Sequence, residues 1–128
     1  MALEFVLETQ GTVISLVVSG TVDCVEDLIG MTEAFATALD GIRTRHCICD
    51  IRGVQNNLDP EGVDGTAGLA AQAVTGGGRL ATIFDEGSRD RASRFEAMVQ
   101  DLGVTARAFD DPQQAREWLD SAPYFLGT

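Results

Sequence analysis

The stretch DIRGVQNNLDPEG, Asp50 to Gly62, carries the chain out of an apolar run and into the start of a helix. Upstream of it, His46 to Ile51 (HCICDI) is a short apolar run suited to a buried strand, and the polar RGVQNN that follows reads as loop. Asp59, Pro60 and Glu61 then form a helix-start signature. Asp accepts from free first-turn amides, Pro fits the first helical position, and Glu complements the positive end of the helix dipole. Strand, loop and helix in immediate succession are the repeating unit of an α/β fold.

Working outward, the same alternation continues. The helix after Asp59 is intrinsically weak, because Gly62, Gly65 and Gly68 each cost about 1 kcal/mol relative to Ala in a helix interior. It must therefore lean on packing through Val63, Ala67, Ala70 and Val74. Gly76-Gly77-Gly78 breaks it, and RLATIFD (Arg79 to Asp85) is the next strand. Ser88 is placed to cap a helix with the face Ala92, Phe95, Met98, Val99 and Leu102; VTARAF (Val104 to Phe109) is a further strand. Asp111 caps a last helix, with Pro112 in its first turn and Ala115, Trp118 and Leu119 on its apolar face. On the N-terminal side, LEFVLET (Leu3 to Thr9) and TVISLVVSG (Thr12 to Gly20) read as a hairpin. Asp23-x-x-Glu26 resembles a capping box ahead of Leu28, Met31, Phe35, Ala38 and Leu39, and Asp40-Gly41 ends that helix. The expected fold is α/β, a five-stranded, mixed but mostly parallel sheet with about four helices and an N-terminal β-hairpin. A single domain over residues 1–122 and a loosely ordered tail over 123–128 complete the expectation.

Composition narrows the functional classes. A chain of 128 residues and 13.6 kDa suits one core that needs neither metal nor disulfide. An odd count of cysteines, Cys24, Cys47 and Cys49, points to free thiols in a reducing compartment, with cytoplasm as the default. The N-terminus has no basic leader region, and Ile14 to Val18 is too short to span a bilayer, so neither secretion nor membrane insertion is expected. The net charge of −11, from 20 acidic and 9 basic residues, repels nucleic acid and anionic lipid surfaces. All of the basic residues are arginine, so no phosphate-loop lysine exists; nor does a G-x-S-x-G or H-E-x-x-H motif.

The layout, the strand end CICDIRGV, the turn NLDPEG and the closing ARAFDDPQQAREWL together resemble a STAS domain, more narrowly the SpoIIAA-like (STAS/SEC14-like) group. The resemblance covers about the whole chain; its more specific parts are the Asp50 strand end, the Asp59 to Gly62 turn and FDDPQQAREWL. It implies a regulatory domain that binds a protein partner. In anti-sigma-antagonist STAS domains an Asp-Ser-Ser-Gly turn precedes the second helix, and its first serine is phosphorylated by a partner kinase to switch binding off. Here Asp59 and Gly62 fit that turn, Pro60 and Glu61 replace both serines, and the loop is one residue longer. No Ser or Thr occurs from Gly53 to Gly65, and Thr66 and Ser88 are poor substitutes by position. Glu61 supplies a permanent single charge where a phosphoserine would supply about −1.5 to −2, either as a fixed mimic or simply as a first-turn carboxylate.

Other constellations have simpler readings. On a strand, Cys47 and Cys49 share one face and His46, Ile48 and Asp50 the other, which leaves one thiol pair where zinc needs about four ligands. Gly76 to Gly78 precedes a strand, so it lacks phosphate-cradling geometry. Arg89, Arg91 and Arg94 gather near a helix start, where with Ser88 they are placed to receive an anion; a local pair between Asp90 and Arg94 is the alternative. A ligand site in such a sheet belongs beyond the strand ends at Arg52 to Asn57, Asp85 to Ser88 and Asp110 to Asp111. Phe95 and Trp118 read as core residues. The SEC14-like side of the resemblance implies instead an apolar pocket between sheet and helices, with Ala67, Ala70, Ala71 and Ala73 leaving room.

The expectation is thus a non-catalytic interaction domain with no cofactor and no metal. It binds a protein partner through the Asn56 to Gly65 loop and the exposed face of the helix after it, with Asn57, Asp59, Pro60, Glu61 and Gly62 as the contact residues. The alternative is a small carrier or sensor of a lipid-like or anionic ligand, held at Ser88, Arg89 and Arg52. The apolar tail triplet Tyr124-Phe125-Leu126 offers a surface for a homodimer.

Overall fold

The computed structural model describes residues 3–10, 13–39, 46–74 and 78–121. The helix-ending Asp40-Gly41, the breaker pair Gly76-Gly77 and the tail with its apolar triplet lie outside those residues. Five strands, β1 (Glu4–Gln10), β2 (Val13–Val22), β3 (His46–Asn56), β4 (Arg79–Ile83) and β5 (Thr105–Phe109), form one sheet in sequential order. β1 is antiparallel to β2, and every later pairing is parallel. Helices α1 (Ile29–Leu39), α2 (Pro60–Ala73), α3 (Arg89–Asp101) and α4 (Pro112–Asp120) follow β2, β3, β4 and β5. The mixed sheet with an antiparallel edge is the one expected from sequence.

Sequential parallel strands joined by right-handed crossovers must carry their connecting helices on one face. Accordingly Phe35 of α1, Ala67 of α2 and Val99 of α3 pack with Ile14, Leu16, Val18, Cys47 and Leu80 in one cluster. The opposite face is covered by α4, whose Ala115 and Leu119 join Val13, Ile48, Ala81, Ile83 and Phe109. Cys47 and Ile48 fall in different clusters, as period-two alternation along β3 requires. Trp118 packs on the α4 side, its ring 5.7 Å from that of Phe109 and 5.0 Å from the Arg79 guanidinium.

Two local expectations are corrected. RGVQNN is not a loop: β3 continues to Asn56, because β2 runs on to Val22 and pairs with it through Gly20–Val54, Thr21–Gln55 and Val22–Asn56. An irregularity between Val17 and Ser19 sets two residue steps of β2 against three of β3. Gly53 sits there because a Cβ would meet Ser19 Cβ at 3.2 Å and the Val18 carbonyl at 3.3 Å. Gly20 takes φ 108, a conformation L side chains rarely adopt. The second correction concerns the first helix, which opens with a 3-10 turn over Val25–Leu28. Its capping carboxylate is Asp27, not Glu26: Asp27 Oδ2 accepts from the Asp23 and Cys24 amides at 3.0 and 3.3 Å. Those bonds hold the Asp27 carboxyl below its ordinary range.

His46, at the start of β3, is buried, and its Nδ1 accepts the Arg79 backbone N–H at 3.0 Å. Burial lowers its pKa, and the nearby Arg79 charge lowers it further, so the folded ring is neutral. The unfolded chain takes up this proton at about pH 6.5, before the folded one does. His46 therefore contributes its full stability above that pH and loses it as the pH falls from there towards the lower folded value. Thermal melts between pH 7 and pH 5 should show the wild-type melting temperature falling more steeply than that of His46→Asn; parallel curves would place the proton uptake elsewhere.

Candidate functional site

With β3 extended to Asn56, the connection to α2 shrinks to Asn57, Leu58 and Asp59. Most of the polar groups of this turn are committed inside the chain. The Asn57 amide donates to the Val22 carbonyl at 2.9 Å, and its Nδ2 donates to Asp23 Oδ1 at 2.8 Å. Asn56 Oδ1 accepts from the Leu58 amide at 2.9 Å. Asp59 Oδ1 accepts from the Gly62 amide at 2.8 Å, which is the cap its sequence position predicts. From α3, Arg91 Nε donates to the Leu58 carbonyl at 3.1 Å. The Leu58 side chain is buried with Val22, Leu28 and Val63. Gly62 is required by that burial, since a Cβ there would lie 2.9 Å from Leu58 Cδ2.

Of the residues expected to meet a partner, Asn57, Asp59, Pro60 and Glu61 are exposed and Gly62 is half-buried. Asn57, Asp59 and Gly62 are held by internal bonds; Pro60 and Glu61 stand outward at the start of α2.

The residues expected to hold an anion are not gathered into one constellation. Arg52 makes a two-pronged bond to Asp50, at 3.0 and 2.7 Å, which holds the Asp50 carboxyl below its ordinary range. Arg89 makes another to Glu86, at 3.1 and 2.9 Å, with Asp110 3.5 Å away and its guanidinium over the Phe84 ring. Ser88 occupies the position before α3 and is buried, but its hydroxyl does not cap the helix as expected; its amide instead donates to the Asp85 carbonyl at 3.0 Å. Arg94 pairs across to Asp64 of α2 at 2.8 Å rather than with Asp90 on its own helix. This bond holds the Asp64 carboxyl below its ordinary range.

Behind the turn, between the sheet and helices α1 to α3, lies a cavity of about 120 Å³. Leu16 and Val18 of β2, Met31 and Phe35 of α1, and Phe95 of α3 are among its walls. Of the small residues expected to make room, Ala70 lines it, whereas Ala67 and Ala71 belong to the packed cluster beside it. The side chain of Ala73 is not among the described ones. Phe95 is thus both a packing residue and a cavity wall. Cys49 also lines the cavity, and burial pushes both its thiol and that of Cys47 up, so both stay protonated at neutral pH. Among the described residues no three His, Cys, Asp or Glu side chains cluster as metal ligands, and no helix is long and apolar enough to cross a membrane.

The sequence marks Asn56 as the start of the contact loop, Asp23 as a cap and Arg91 as one of the arginines placed to receive an anion, but not the bonds that tie all three into this turn. Asn56 and Asp23 carry a faint local signal for theirs, as residue types that bond nearby backbone in turns. The bond from Arg91 has none, because its partner is 33 positions away.

No protein-family profile matches the chain, and no curated protein matches it in sequence. Solved structures do match. An anti-sigma factor antagonist from Mycobacterium paratuberculosis superposes with a TM-score of 0.66 at 12% identity, over 94% of this chain and 96% of that one. An uncharacterised protein from Shewanella loihica PV-4 with a SpoIIAA-like fold superposes with a TM-score of 0.63 at 20% identity, over 92% and 94%. The chain has the SpoIIAA-like fold. In this SpoIIAA-like chain, the turn before α2 keeps its geometry through Asp59 and Gly62 while offering no hydroxyl from Gly53 to Gly65.

Removing the cap and filling the helix test this geometry in opposite directions. Asp59→Ala should destabilise by about 1 kcal/mol in a denaturant titration. Gly68→Ala should stabilise by up to about 1 kcal/mol, because a Cβ there meets nothing within 4 Å.

Proposed function

We propose that this chain is a non-catalytic regulatory domain that binds a protein partner through the turn over Asn56 to Gly65 and the start of α2. The observation that carries this reading is the clamped turn, which presents Pro60 and Glu61 outward while most of its other polar groups are bonded internally. A surface ordered before binding loses little conformational freedom on docking, so its contacts appear more fully as affinity. The fold supports the same reading, since the mycobacterial protein that shares it is an anti-sigma factor antagonist. Asp59 fixes the backbone, and Glu61 supplies charge without chemistry. With Pro60 and Glu61 in the turn, binding is constitutive rather than switched by phosphorylation there. The free thiols fit action in the cytoplasm.

A second role, the binding of a small ligand, is favoured by one observation, the cavity behind the turn. A ligand there would lie inside the fold rather than at Arg52 and Arg89, which already hold carboxylates of their own.

Glu61→Arg should weaken the partner complex at least about tenfold, roughly 1.4 kcal/mol, in a pull-down quantified against wild type. Its melting temperature should fall by only a few degrees, since Glu61 is exposed and its favourable charge at the start of α2 is worth about 0.3 to 1 kcal/mol. Complexes that survive Glu61→Arg intact would rule out the turn as the docking surface.

A further inference from the structure

We propose that the cavity binds a small monocarboxylate, its apolar body enclosed between the sheet and α1 to α3 and its carboxylate held by Arg91. The inference rests on the small-ligand role above and names its ligand class. Natural cores carry few voids larger than a water molecule, so a space of about 120 Å³ is a feature to be explained. An engineered cavity of about 150 Å³ in another protein admits benzene, so this one takes a body of about six carbon atoms, a single ring or a short chain. A long-chain lipid would not be contained in that volume.

The walls ask for an apolar body. The hydroxyls of Thr32 and Thr66 are turned to the Leu28 and Gly62 carbonyls, at 2.8 and 2.9 Å, and Asn56 Oδ1 holds the Leu58 amide. No fully buried side-chain nitrogen or oxygen among the described residues lacks a partner, and the other polar groups in the walls, the Thr82 hydroxyl and the Asn56 amide nitrogen, are few beside the apolar side chains.

The charge is at one end. Among the described residues Arg91 is the single charged one lining the cavity, and its bond to the Leu58 carbonyl stations it at the turn. Only Nε is used in that bond; among the described residues the terminal nitrogens of Arg91 have no partner and the group forms no ion pair. Its neighbours Arg89 and Arg94 engage Glu86 and Asp64, so those carboxylates are not available to neutralise it. A guanidinium with free donors beside an apolar chamber matches an anion with an apolar tail, and a carboxylate takes such donors as charge-assisted hydrogen bonds.

The test compares phenylacetate and hexanoate with the neutral 2-phenylethanol and 1-hexanol, by calorimetric titration of the full chain and of its Arg91→Gln and Ala70→Leu variants. The expected result is saturable binding with each acid at least tenfold tighter than its matched alcohol, that preference vanishing in Arg91→Gln while the alcohols bind as before. Ala70→Leu, which fills the cavity, should lose both classes. Equal affinities for acid and alcohol in the wild type would overturn the carboxylate assignment while leaving an apolar-ligand role standing. That comparison needs no variant to fold. Unchanged binding in a folded Ala70→Leu would overturn the cavity as the site. No saturable binding of any of the four would remove the small-ligand role altogether and leave the docking turn untouched.

Discussion

The parallel pairing of β2 with β3, carried through to Val22 and Asn56, is the constraint on which the rest of the site depends. Without it the chain from Arg52 to Asp59 would be a polar loop with no fixed course. With it, the Asn57 amide reaches the Val22 carbonyl, Leu58 drops into the core, and Asp59 arrives where its carboxylate caps α2. Two glycines make the pairing feasible: Gly20 supplies a positive φ, and Gly53 lets β3 pass close to Val18 and Ser19. Backbone geometry in two strands thus positions a surface turn that neither strand forms alone.

The same sheet order explains why the turn before α2 and the cavity lie together. Three crossovers of one hand stack α1, α2 and α3 on a single face, and the weak middle helix is held by its neighbours rather than by its own propensity. Gly65 allows Val25 to approach α2 closely, with a Cβ there falling 3.2 Å from Val25 Cγ2, and the Asp64–Arg94 pair ties α2 to α3. Small residues serve close approach at some positions of α2, while at Ala70 the approach leaves space. Arg91 joins the two regions, since it lines the cavity and bonds the carbonyl of the residue at the centre of the turn. An occupant that drew Arg91 towards it would act on Leu58, and through Leu58 on the turn.

Element types were legible because their signals are local. Alternation and β-branched runs marked the strands, and Asp-Pro at two helix starts marked caps that the structure contains, Asp59 on Gly62 and Asp111 on Gln113. The placing of Cys47 and Ile48 on opposite faces followed from the pleat alone. What stayed illegible depends on partners distant in sequence. The polar composition of RGVQNN says loop, and only the overrunning end of β2 makes it strand. Asp90 is the local partner for Arg94, but Asp64, 30 positions away, is the one that tertiary packing presents. The cap of the first helix was displaced by one residue, since Asp23, Glu26 and Asp27 offer competing registers and geometry selects Asp27. The cavity itself has no sequence signature, because alanines and glycines in α2 are equally compatible with a closed interface.

The bonds at Asn57 and Leu58 make the turn before α2 rigid in the free protein. Amide hydrogen exchange followed by NMR reads it directly. The amides of Asn57 and Leu58 should exchange within about tenfold of the neighbouring amides of β3, as groups that open only when the strand does. Exchange of both at the rate of an unstructured peptide, with β3 still protected, would mean that the turn is not clamped and that its pre-organisation does not exist.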